Sequence, residues 1–506
     1  MKKTLFFAAI VSFFSLPLSV CQAQQPDAVY KLLRYEWTVN ADGSSDYHYR
    51  HEVQILRNRA LTAYADKGET FVVFNPDYEE LTVNEVYTLQ LDGTRVDMPQ
   101  NAFVYQLPSS CADCGRFNHL RELAMVHTGM ELGCTIIVDY TIHRRYNLLR
   151  ESVPLQRECP VEKLEVVVNN NSGFNVKYDT YGEQYITFNS NTRTADHSKS
   201  GTPSSTTTHT YTNIPQAPRE PYMPSDIIPT LRFFNGAPQH TPSFDNQPDF
   251  DGASDAMGTL FNTPDEKNTV TAMRDFIVDN IHLNDIHPSH LGYVHATPFE
   301  TWSTGCGTAT DKAVLLAAAL NHEKFPARVV GDDYDQVCVT IDTLEYRLDV
   351  RQKTPMEING EARDEMVAFE QTNTLDAAPL LDSLADGFFH LAVFTRLQGE
   401  PTVDATRLAL QRSTPLVGSA CNLSSDITYT LPKNLKLVGD GIQRQLDFPG
   451  IGSLEVSVKQ SGKKLHVVRK LKIDKSIIST EEYGRYRQLI ATWQTLSREQ
   501  LLLQQK

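Results

Sequence analysis

Between Gly305 and Ala313 the chain reads Gly-Cys-Gly-Thr-Ala-Thr-Asp-Lys-Ala. This glycine-rich approach leads into a run, Ala309 to His322, whose centre AVLLAAAL is apolar on nearly every side. That pattern predicts a buried central helix. A thiol at the start of such a helix could act as a nucleophile. The helix dipole lowers its pKa, an imidazole takes its proton, and a carboxylate orients the imidazole. Cys306 is the thiol nearest the helix start, Asp349 is a carboxylate on a strand-like run, and Gln336 opens the run before it. If Asp342-Thr343 forms a two-residue turn, Ile341 faces Leu344 and Gln336 faces Asp349. Cross-strand partners lie close enough for one side chain to orient the other. Asp-Thr is not a favoured pair for such a turn. Glutamine cannot take up a proton near neutral pH, although it hydrogen-bonds as a neutral histidine does.

The elements that would position these residues fall into three stretches. The first third alternates between apolar and polar residues. Tyr35–Val39 leads through Asp42-Gly43 to a run ending at Ile55, and Leu89–Leu91 leads through Asp92-Gly93 to Val96. Asp-Gly between alternating runs predicts hairpins. Further strands are predicted at Thr135–Ile142 and Leu164–Val168. The Ser/Thr-rich Ser198–Thr208 and Pro-rich Ile214–Pro229 read as a linker. In the middle third, Thr263-Pro264-Asp265-Glu266 predicts a helix start, and the helix should run to about Asn280. Three β-rich runs follow the Ala309–His322 helix: Phe325–Val330, Gln336–Ile341 and Glu345–Val350. The last third predicts strands at Tyr429–Leu431, Leu454–Val458 and Leu465–Ile473. A final helix should be capped by Ser479 and Glu482, and an edge strand is expected at Leu501–Leu503.

The segment GCGTATDKAVLLAAALNHEKFPARVV resembles the core motif of transglutaminase-like proteins, roughly Gly-aromatic-Gly-Asp-Cys-Lys-Asp-Lys-Ala, then an apolar helix, then Pro-Ala-Arg. FNPDYEELTVNEVYTLQLDGTRV, IPQAPREPYMP and RKLKIDKSIISTEEYGRYRQLI extend the likeness along the chain. Together they resemble exported bacterial proteins in which an uncharacterised β-rich domain precedes a transglutaminase-like domain and a smaller β domain follows. Asp311-Lys312-Ala313 fixes the register. In that register the nucleophile position holds Ala309, the base position Gln336, and the acid position Asp349. The resemblance thus implies a degenerate site with neither nucleophile nor base. The alternative takes Cys306 as nucleophile, at the cost of a three-residue shift against Asp311-Lys312.

Lys2-Lys3, the apolar run Leu5–Val20 and Cys21-Gln22-Ala23 predict a signal peptide over residues 1–23. A lipid anchor on Cys21 is the alternative. No later run reaches the length of a membrane helix. Loss of Lys2 and Lys3 takes the formal net charge from −15 to −17, which argues against nucleic acid. Seven of the eight cysteines lie beyond residue 23, so at least one is unpaired. Cys111-Ala-Asp-Cys114 is the one close pair and predicts a loop disulfide. Free thiols or redox use are the alternatives, and zinc is not expected without a second such pair.

The expectation is therefore an α+β, multidomain protein. Residues 24–213 would form a β-rich domain, 214–245 a Pro-rich linker, 246–375 a transglutaminase-like (papain-like) α+β domain, and 376–506 a mostly-β domain with a terminal helix. No cofactor or metal is expected. The expected role is an exported pseudoenzyme, periplasmic or else lipid-anchored or surface-displayed, that binds a peptide, a glycan or an envelope protein. The alternative is a thiol-dependent amide hydrolase or acyl transferase using Cys306.

Overall fold

The computed structural model describes residues 26–62, 69–111, 113–146, 148–183, 186–197, 204–224, 227–235, 266–330, 335–353, 357–358, 361–362, 367–394, 397, 400, 409–418, 420–496 and 499–505. The expected signal peptide with Cys21, and the expected helix-start residues Thr263, Pro264 and Asp265, lie outside them.

Alternating sequence dominates the chain, and the fold follows it. Among the described residues, strand makes up 48% and helix 19%. This corrects the α+β class expected above: the molecule is mostly β, spread over many sheets, and a central papain-like α+β domain is not evident. The apolar Ala309–His322 helix drew the reading toward that class. Period-2 patterning outweighs it, even in the middle of the chain, where a five-stranded sheet runs through Ala327–Val330, Gln336–Ile341, Leu344–Asp349, Glu357–Ile358 and Glu361–Ala362.

The N-terminal part is built on an eight-stranded sheet. Its order is Asn189–Asp196, Ser205–Ile214, Val161–Asn170, Ala28–Val39, Ser45–Ile55, Thr135–Arg144, Glu79–Leu89 and Arg95–Asp97. The Ala28–Val39 strand runs parallel to Val161–Asn170 and antiparallel to Ser45–Ile55. Both Asp-Gly turns close hairpins as expected, with Gly43 and Gly93 at φ 93° and 88°. A three-stranded sheet, Val176–Tyr181, Thr230–Asn235 and Arg150–Pro154, shares the same apolar core. Trp37 of one sheet meets Phe233 of the other, with ring centroids 4.9 Å apart. Two stretches read as linker are therefore strand. Ser205–Ile214 pairs with Val161–Asn170, its threonines alternating with buried His209 and Tyr211, and Thr230–Asn235 pairs on both edges. Ser/Thr composition signals a linker only where the alternate positions are also exposed, and here Thr207, His209 and Tyr211 are buried.

The C-terminal part has its own core. Val367–Asp376, Cys421–Thr430, Lys464–Ile473, Gly452–Ser461 and Ile442–Phe448 form one sheet, against which the helix Tyr483–Leu496 packs Leu489, Ile490 and Leu496. Ser479 and Glu482 cap that helix reciprocally, Ser479 N donating to the Glu482 carboxylate and Glu482 N to Ser479 Oγ. The last strand, Leu501–Gln505, is interior rather than at an edge, lying between Phe388–Leu391 and Leu435–Leu437. The segment before residue 224 docks here. The Glu220 carboxylate accepts from the backbone N–H groups of Ser413 and Thr414 and from both hydroxyls, and Val417 N donates to Tyr222 O.

Candidate functional site

The site helix spans Ala309–His322, as the sequence predicts, with ten buried residues. Its start is built by a reciprocal cap. Thr308 Oγ1 accepts from Asp311 N, and the Asp311 carboxylate accepts from Thr308 N and Oγ1 at 2.8 and 2.9 Å. The two glycines of the approach have separate causes. Gly305 ends the short helix Pro298–Thr304 in the left-handed region, φ 67°. Gly307 lies so close to Asp311 that an added Cβ would sit 2.8 Å from the aspartate Cβ.

Asp311 is fully buried, and its charge is balanced from a distant part of the chain. Arg116 Nη1 donates to Asp311 Oδ2 at 2.9 Å, and Ala296 N donates to the other oxygen. The negative end of this cap also meets the positive end of the helix dipole. Asp311 is thus a structural group that fixes the helix start.

Lys312 follows, at 1% exposure. Its Nζ donates to Ile281 O at 2.9 Å and to Val278 O at 3.5 Å, capping the carbonyl end of the helix Glu266–Asn280. Burial pulls its ammonium down to about 8, while the Asp349 and Asp279 carboxylates resist that shift. The site helix packs on the adjacent hairpin strand Gln336–Ile341. Ala309 shares one apolar cluster with Val337 and Leu348, the neighbours of Gln336 and Asp349.

Within the hairpin, Gln336 pairs with Asp349 and Ile341 with Leu344. Asp342 and Thr343 form the two-residue turn, with φ 47° and 71°. The Asp349 Oδ1 accepts from Arg351 N at 2.7 Å, and neither Gln336 nor Asp349 is fully buried. Ala309 is buried. The position that opens the helix therefore carries a methyl group, near a half-buried amide and a half-buried carboxylate. That set can accept and donate hydrogen bonds, but Ala309 offers no nucleophile.

Cys306 is 2% exposed and bonded to Cys114, with Cα atoms 5.9 Å apart across 192 residues. The loop disulfide expected between Cys111 and Cys114 is not formed, and Cys111 is a free, buried thiol. The reason is packing. The turn Ser109–Cys111, the turn Gly115–Phe117 and Leu120 form a small apolar cluster with Ile286, Leu291 and Cys306. Asn284 Nδ2 also donates to Ser110 O across this seam. Cys114 is thus a site-supporting residue whose partner the sequence reading missed, and Arg116 one that it missed altogether, with no local pattern to mark it. Beside them, Arg144 lies buried between Glu79 and Glu151, at 3.1 and 2.8 Å, and His290 meets Glu79 at 2.8 Å. This ion network holds the Pro288–Leu291 turn on the N-terminal sheet. Among the described residues no group of three His, Cys, Asp or Glu side chains is placed to hold a metal ion, and no helix is long and apolar enough to cross a membrane.

Two family models match the chain. Residues 41–215 match a domain of unknown function with a solved structure, DUF3857, and residues 388–503 match a second such domain, DUF3858. A solved crystal structure from Parabacteroides distasonis ATCC 8503, described as "a putative protease", is 24% identical. Its match covers 94% of this chain and 99% of that one, with a TM-score of 0.70. At that identity the likeness is one of fold. No curated protein matches the sequence.

Proposed function

We propose that this chain is an exported, non-catalytic relative of the transglutaminase-like proteins that binds a peptide, a glycan or another envelope protein. The observation that carries the reading is Ala309 at the first position of the site helix, in one apolar cluster with Val337 and Leu348, the neighbours of the Gln336–Asp349 pair. Thiol chemistry needs a thiolate and a group to deprotonate it, and in the register fixed by Asp311-Lys312 neither is present. Export is supported by the Cys114–Cys306 bond, since structural disulfides persist in oxidising compartments and are rare in the cytosol.

The test is a peptide-array and glycan-array screen together with pull-downs from envelope extract, using the chain from residue 24 onward. A ligand whose retention is lost in Gln336→Ala or Asp349→Ala supports the reading. Absence of any retained ligand, or retention unaffected by both variants, overturns it.

A second reading is favoured by the description of the structural neighbour as a protease. In it, Cys306 is the nucleophile of an amide hydrolase or acyl transferase. This reading requires Cys306 to leave its disulfide. Activity that survives Cys306→Ala would end it.

A further inference from the structure

Three sulfurs share one apolar cluster. Cys111, Cys114 and Cys306 pack with Phe117, Leu120, Ile286 and Leu291. Of the free cysteines among the described residues, Cys111 alone belongs to that cluster. It is fully buried. Cys114 N donates to Cys111 O at 3.1 Å. A turn closed this way keeps its first and last Cα within about 7 Å, close to the upper end of the spacing at which disulfides form. Cys114 therefore stands with Cys306 as its present partner and Cys111 within reach as another.

We infer that this cluster is a thiol–disulfide relay, in which Cys111 exchanges into the Cys114–Cys306 bond and releases Cys306 as a free thiol. The Cys111 thiolate attacks Cys114 Sγ. The Cys111–Cys114 bond forms as the Cys114–Cys306 bond breaks. Cys306 leaves with the electron pair and takes up the proton that Cys111 gave up. One disulfide and one thiol stand on each side of the reaction, so no oxidant or reductant is consumed. Two things change: Cys114 and the Gly115–Phe117 turn that follows it lose their covalent hold on the approach to the site helix, and a thiol is freed three residues ahead of Ala309. Burial pushes the Cys111 thiol up, which keeps the relay slow near neutral pH. Its rate follows the thiolate fraction, rising about tenfold per pH unit below the thiol pKa.

The relay deepens the second reading above, because it is the route by which Cys306 would become available. Its test does not involve hydrolysis, so failure of one can be told from failure of the other. The oxidised chain is incubated without redox reagents at a series of pH values, quenched with acid and unfolded. It is then alkylated with N-ethylmaleimide and mapped by non-reducing peptide mass spectrometry. The expected result is a Cys111–Cys114 peptide, accompanied by alkylated Cys306, that accumulates faster as pH rises. In Cys111→Ser that peptide is lost and Cys306 alkylation falls by at least about tenfold. Cys114→Ser, which removes both bonds, should leave Cys111 and Cys306 fully alkylated and shows that both peptides are detectable. If wild type, which needs no altered residue to fold, never yields the Cys111–Cys114 peptide, the relay is overturned. Equal Cys306 alkylation in wild type and Cys111→Ser also overturns it.

Discussion

Gln336 and Asp349 are direct cross-strand partners, and their register is set by a turn whose two central residues, Asp342 and Thr343, both have positive φ. Turns of this kind match the twist of the flanking strands, so the pairing is specified at the hairpin tip, away from the site. Threonine is a poor residue for the left-handed region, where a β-branched side chain crowds the backbone. Thr343→Gly should raise stability by about 1 kcal/mol, read as a higher urea midpoint with an unchanged slope. A lower midpoint would mean that the turn does not hold this conformation.

Restoring the missing groups should restore reactivity in steps. Ala309→Cys alone places a thiol at the helix start, with no base to deprotonate it. Adding Gln336→His supplies an imidazole opposite Asp349. Alkylation of the introduced thiol should run at least about tenfold faster near neutral pH in the double variant than in the single variant. Equal rates in the two would show that these positions do not share a site.

Lys312 predicts a pH dependence of stability. Its ammonium sits at about 8 in the fold, against about 10.4 for an ordinary lysine. Below pH 8 it is charged in both the folded and unfolded states, and the cost of burying the charge is fully present. Between the two values the unfolded chain binds more protons than the folded one, so stability rises with pH. Lys312→Met removes that increment. The difference between wild-type and variant urea midpoints should therefore change across the window from about pH 8 to about pH 10.4. A constant difference would sink the assignment.

Glu220 titrates in the opposite sense. Burial opposes its ionisation, but hydrogen bonds from Thr414 and Ser413 outweigh that cost and hold its carboxyl below the usual range. Its contribution to docking is present above the ordinary glutamate pKa and is lost as pH falls through the lower, folded value. Glu220→Gln turns an amide toward donor groups, which should cost about 1–2 kcal/mol of docking. Limited proteolysis near neutral pH should then cut faster within residues 214–224. An unchanged cleavage rate would show that this carboxylate does not hold the segment.

How much of this was legible in the sequence depended on range. The Gln336–Asp349 register followed from counting residues around one turn, and the site helix from a single apolar run bounded by Thr308 and His322. Both are local. The α+β class failed because one conspicuous helix was weighed above many alternating strands, and Ser205–Ile214 failed because its composition hid its alternation. The role of Arg116 and the partner of Cys114 could not be found: each meets its partner about two hundred residues along the chain, and no local signature points there. The Cys111–Cys114 spacing invited a short-range disulfide, and only the packing of Phe117 and Leu120 against Ile286 shows why Cys114 turned to Cys306.

The 192 residues between Cys114 and Cys306 are also an interval in time. At typical synthesis rates of about 5–20 residues per second, roughly 10–40 s separate the emergence of the two cysteines. Throughout that interval Cys114 has Cys111 beside it and Cys306 does not yet exist. A bond that Cys114 made in that interval would not be the one it finally holds. The native pairing has to wait for Cys306 and the start of the site helix.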